Sequence, residues 1–103
     1  MMITEEQIKR ELDGIRYYYG RKEIFDNAFA GVGTNAILAT VERYNQAICL
    51  APPKIYEMYV CLYVKCCTYD GAAEELGYST NYVYKTNKKI VDFFYQEFRK
   101  EGA

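Results

Sequence analysis

The chain has 103 residues, 50% of them hydrophobic and 17% aromatic, with 13 Lys and Arg against 14 Asp and Glu and no histidine. That size and apolar content suit one packed domain and argue against disorder. The missing histidine removes the commonest general base and nucleophile activator, and no apolar run approaches the roughly 18 residues of a membrane helix, so a cytoplasmic protein with no membrane partner is expected.

From Thr4, a suitable N-cap followed by Glu5 and Glu6, apolar positions recur at Ile8, Leu12, Ile15 and Tyr19. This spacing predicts a first helix ending near Gly20. Tyr17, Tyr18 and Tyr19 are consecutive and fan around such a helix, so at least one should meet solvent or a subunit. Ile15 and Tyr17 to Tyr19, with Ile24 beyond, are the candidate self-association residues. Residues 21 to 33 lack a sustained period and read as a connector with a helical turn around Glu23 to Phe29. Its Gly31 and Gly33 miss the spacing of a phosphate-binding loop, and no strand pattern precedes them. Thr34 or Asn35 then caps a second block, with Ile37, Val41, Tyr44 and Ile48 on one face. Pro52 and Pro53 open a third helix, expected to run to about Thr68 with Ile55, Met58, Tyr59, Leu62, Tyr63 and Cys66 inward.

The segment Thr68 to Phe94 reads as a short helix, a glycine turn and a longer helix. Ala73 and Leu76 supply an apolar edge, Gly77 permits the turn, and Ser79 caps the next helix. Its inward side follows Val83, Thr86 or Asn87, Ile90 and Phe94. From Ser79 to Val91 there are three lysines, Lys85, Lys88 and Lys89, and no carboxylate, in a chain of net charge −1. Basicity is therefore concentrated where a phosphate backbone would need it. A plain helical hairpin closing the core is the competing reading; the coincidence of glycine, serine cap, inward valine and lysines favours nucleic acid. Candidate DNA-contacting residues are Ser79, Thr80, Asn81, Tyr84, Lys85, Lys88 and Lys89.

The run AAEELGYSTNYVYKTNKKIVDFF resembles the helix-turn-helix of sigma-70 region 4, and in particular small phage and prophage late-transcription regulators of the ArpU and RinA type. The resemblance is close over the last third and general elsewhere. It implies a sequence-specific transcriptional regulator of phage or prophage origin, with double-stranded DNA as partner and RNA polymerase and a second copy of the chain as further candidates. The alternative it leaves open is a sigma-like interaction module that binds RNA polymerase or another protein factor. Two departures stand out. Gly71 replaces the usual Glu or Gln of a capping box begun at Thr68, and Thr86 stands where an Ile or Leu normally faces the core, which predicts a weaker helix start and looser packing.

Cys49, Cys61, Cys66 and Cys67 include no C-x-x-C pair and have no histidine to complete a zinc set, so four buried reduced thiols are expected, with no metal and no cofactor. Adjacent carboxylates such as Glu5 with Glu6 and Glu74 with Glu75 diverge on a helix, leaving no catalytic constellation and no small-molecule substrate. The expected fold is all-α, a small helical domain of about four to five helices ending in a sigma-70 region 4-like helix-turn-helix. It is one domain over 1–103, with N-terminal helix and connector in 1–33, central helices in 34–67 and the binding motif in 68–98.

Overall fold

The computed structural model describes residues 3–22 and 34–101, which are helices and connecting turns with no strand among them. The predicted connector, with Ile24, Gly31, Gly33 and the turn at Glu23 to Phe29, lies outside the described residues apart from its first two positions. Helix α1 spans Glu5–Gly20. Thr4 is extended and its hydroxyl accepts the Gln7 N–H at 3.1 Å, and Glu5 and Glu6 complement the dipole at that end. Ile8, Leu12 and Ile15 are fully inward as expected, but the fourth buried position is Tyr18, with Tyr19 half-buried. Both lie within one turn of Ile15, and the packing of α1 on its neighbours chooses between them.

Helix α2 covers Thr34–Ile48. Val41, Tyr44 and Ile48 are buried, and Ile37 is half-buried. Pro52 precedes α3, Pro53–Tyr59, with Pro53 in the first turn, where a missing N–H costs nothing. The Pro52 carbonyl accepts from Ile55 and Tyr56 at 3.0 Å.

The predicted α-helix to Thr68 is not formed. After α3 the chain widens into a π segment, Val60–Val64, with the Lys65 N–H reaching the Val60 carbonyl at 2.8 Å. Three consecutive residues, Cys61, Leu62 and Tyr63, are buried there. Cys66 then takes a left-handed backbone, φ 59°, which folds the chain back so that the Cys67 N–H meets the Cys61 carbonyl at 3.0 Å. A non-glycine residue in that region is strained by about 1–3 kcal/mol and needs surrounding structure to hold it.

Arg16 on α1 contributes to that support. Its guanidinium donates to the carbonyls of Leu62 (3.1 Å), Cys66 (3.1 Å) and Cys67 (3.4 Å), which the irregular turn leaves without regular helical partners. Arg16→Ala should therefore destabilise the protein by about 1–3 kcal/mol in urea titration, since charge-assisted bonds to otherwise unpaired carbonyls are lost. Arg16→Lys should recover only a fraction of this, because an ammonium cannot fork across several carbonyls. An unchanged midpoint for Arg16→Ala would mean that water replaces the guanidinium without loss.

Helices α4, Tyr69–Leu76, and α5, Thr80–Glu101, complete the fold. The long α5 is the spine: α1, α2, α3 and α4 all pack on it, and α1 also covers the π segment. At the centre an aromatic cluster joins α2, α3 and α5. The Tyr44 ring lies 4.6 Å from Phe94 and 4.8 Å from Phe98, and Tyr59 lies 5.6 Å from Phe94. Hydroxyls at its edge are satisfied: Tyr44 donates to Glu11 at 2.6 Å and Tyr59 to Asn45 at 3.0 Å. Among the described residues, no buried side-chain nitrogen or oxygen lacks a partner.

Candidate nucleic-acid interface

The turn between α4 and α5 is built from local chemistry. Thr68 is extended and its hydroxyl accepts the Gly71 N–H at 2.9 Å, so the start of α4 is capped despite the missing Glu or Gln. A Cβ on Gly71 would stand 3.0 Å from that hydroxyl, tight enough that the Thr68 side chain would have to yield. At the other end Gly77 is left-handed, φ 76°, and both it and Tyr78 donate to the Ala73 carbonyl, the latter at 2.9 Å. A left-handed residue with this bond is a common helix stop, and glycine adopts it without strain. Ser79 then accepts the Tyr82 N–H at 3.1 Å.

Beneath α5, Val83, Thr86, Ile90 and Phe94 are buried as expected, with Val91 and Phe98 added. Thr86 is the polar member of this buried face. Its side chain is 3% exposed and its hydroxyl donates to the Tyr82 carbonyl at 2.8 Å, so the polar atom is satisfied within its own helix.

Asn81, Tyr84, Lys85, Lys88 and Lys89 are all exposed. On a 3.6-residue turn they occupy an arc of about 140°. Asp92, also exposed, falls on the same arc and closes its basic stretch a single turn beyond Lys88. Ser79 and Thr80 are placed differently from the other candidates. The Ser79 oxygen is the cap, and the Thr80 hydroxyl donates to Asp70 at 3.0 Å, tying the two helices together rather than pointing an open donor outward.

Tyr84 is 54% exposed, yet its ring is set edge-on against Tyr69 at 4.3 Å. Tyr69 is in turn fixed: its hydroxyl accepts from the Asn87 amide at 2.8 Å, and the Asn87 oxygen accepts from Tyr63. Burial raises the Tyr63 and Tyr69 hydroxyls above their ordinary range. This chain runs from the π segment through Asn87 and Tyr69 to Tyr84, a single side chain on the outer face of α5. Asn87 was legible as a polar residue on the inward side, but nothing in the spacing pointed to Tyr69 or Asp70.

The candidate self-association residues are dispersed by the fold. Ile15 and Tyr18 belong to the core of the chain itself, at 0% and 5% exposure, so neither is accessible to a second copy. Tyr19 is half-buried and its hydroxyl accepts from Asn45 at 2.9 Å. Tyr17 meets solvent, with the Arg21 guanidinium 4.2 Å from its ring centre.

All four cysteines are free, but they are not uniformly buried. Cys49 is exposed, Cys66 and Cys67 are half-buried, and only Cys61 is enclosed. The fold also brings Cys61, Cys67 and Glu75 together, with their ligand atoms all within 4.8 Å of one another. Cysteines six apart fit no familiar spacing rule, and the π segment with its left-handed turn is what joins them. Burial, followed by the hydrogen bond to Glu75, pushes the Cys61 thiol up to about 12. The Glu75 carboxyl is held below its ordinary range by the Cys61 hydrogen bond and by Lys65.

No protein family, curated protein or solved structure matches this chain.

Proposed function

We propose that the chain is a sequence-specific DNA-binding transcriptional regulator in which α4 and α5 act as a helix-turn-helix and the Asn81 end of α5 enters the major groove. The observation that carries this reading is the exposed arc of Asn81, Tyr84, Lys85, Lys88 and Lys89 on a helix whose opposite side is fully packed. Rigid presentation of a few side chains is what base readout requires. Resemblance to sigma-70 region 4 supports the same assignment and a phage or prophage setting. Asn81 lies in the first turn, where an amide can pair with adenine through two hydrogen bonds, while the lysines suit phosphate.

Gel-shift titration against the DNA upstream of its own gene, across salt concentrations, tests the proposal. Lys85→Ala, Lys88→Ala and Lys89→Ala should each weaken binding to every sequence and flatten the slope of log K against log salt by about 0.9 per lost phosphate contact. Asn81→Ala should cost about 1–3 kcal/mol on the preferred site and little on random DNA. If all four replacements leave binding intact, α5 is not the reader. Absence of any complex at low salt would favour a sigma-like module that binds RNA polymerase or another protein, a role for which Asp70 and Glu74 on the exposed side of α4 supply an acidic surface.

A further inference from the structure

We propose that Cys61, Cys67 and Glu75 form a site for a thiophilic divalent cation of the zinc class, joining the π segment to α4. One carboxylate oxygen of Glu75 faces both sulfurs, 3.0 Å from Cys61 and 3.7 Å from Cys67. The other oxygen is held by the Lys65 ammonium at 3.3 Å, which fixes the orientation of the carboxylate. With Zn–S bonds of about 2.3 Å and Zn–O bonds of about 2.0–2.2 Å, tetrahedral ligand atoms stand about 3.5–3.8 Å apart. One oxygen–sulfur distance falls within that range, the other is shorter, and the sulfurs lie within 4.8 Å of each other, so side-chain rotations can bring the three ligands onto one face of a tetrahedron. Two sulfurs and one carboxylate select zinc over magnesium or calcium, which require oxygen ligands.

The backbone supplies a second reason. Cys66 is the one non-glycine residue with positive φ among the described residues, and its left-handed turn is what carries Cys67 back over Cys61. Strain of this kind tends to be kept where a site depends on it. Charge is also balanced. Two thiolates and a carboxylate hold three negative charges, which a divalent cation and the Lys65 ammonium neutralise. On binding, each S–H bond breaks, its proton leaves to solvent and a metal–sulfur bond forms; Glu75 enters already ionised, and nothing is oxidised or reduced. Glu75 and Cys67 lie at the surface side of the cluster, so the fourth position opens to water. The bound ion would cross-link the turn at Cys66 to the helix that begins the proposed DNA-binding pair. The site does not depend on that proposal, because metal binding is read without DNA.

Cobalt(II) titration of the full chain, reduced with a phosphine under nitrogen, is the test. One equivalent should produce a thiolate-to-cobalt charge-transfer band, removed by added zinc, and zinc should raise the melting temperature by several degrees. Cys67→Ser should abolish the band, and Glu75→Gln should weaken cobalt binding at least about tenfold. Both residues are at least partly accessible, so these variants keep the native circular dichroism even if Cys61→Ser does not fold. The double variant Cys49→Ser, Cys66→Ser should retain the band. No band in the reduced, folded protein, or a band that survives Cys67→Ser, overturns the site.

Discussion

Replacing Phe94 by Ala is expected to remove about 3–5 kcal/mol of stability, a large share of the roughly 5–15 kcal/mol available to a domain of this kind. The side chain is fully buried on α5, and its ring lies against Tyr44 from α2, Tyr59 from α3 and Phe98 one turn further along. Three helices therefore lose a shared partner at once. Tyr44 and Tyr59 are tethered by their hydroxyl bonds to Glu11 and Asn45, so collapse into the void is limited and the cavity contribution adds to the lost transfer energy. Chemical denaturation followed by circular dichroism measures the effect. Tyr84→Ala is the control: it sits on the same helix but is 54% exposed, and its loss should cost no more than about 1 kcal/mol. Similar midpoints for Phe94→Ala and wild type would contradict the placement of the aromatic cluster.

Stability should also collapse in alkali. Tyr44, Tyr59 and Tyr63 are all raised above the ordinary tyrosine value of 10.0, first by burial and then by neighbouring groups such as Glu11 beside Tyr44. Cys61 is raised in the same direction from 9.0. A raised folded-state value means that folding favours the protonated form. The stability these groups contribute is present in full below their unfolded values and is lost as pH climbs from there toward the folded values. Each buried tyrosine should therefore remove roughly 1.4 kcal/mol by pH 11, about 4 kcal/mol for the three together. Melting temperature should be level up to about pH 8 and fall steeply between about pH 9 and 11. The share of the tyrosinate absorbance that belongs to Tyr44, Tyr59 and Tyr63 should appear together with the loss of helix rather than before it. Tyr59→Phe should lower the steepness by one proton. Ionisation of all twelve tyrosines near their ordinary value with helix intact would show that these hydroxyls are open to water.

Features that depend on residues within about four positions of one another could be read along the chain. The capping threonines Thr4 and Thr68, the stop at Gly77, the serine cap at Ser79 and the inward face Val83, Thr86, Ile90, Phe94 were legible because a helix closes its bonds and repeats its faces over that range. The same locality made Asn81, Lys85, Lys88 and Lys89 readable as an outward arc. Other features depend on contacts between distant segments. Whether Tyr18 or Tyr19 turns inward depends on what α1 packs against. Where the third helix ends depends on carbonyl partners 46 to 51 residues away, since Arg16 binds Leu62, Cys66 and Cys67. The Tyr63–Asn87–Tyr69 chain and the meeting of Cys61 and Cys67 with Glu75 likewise join residues that no helical period relates. Such contacts form only once the faces of separate helices have been docked, and that docking is a property of the whole chain rather than of any one segment.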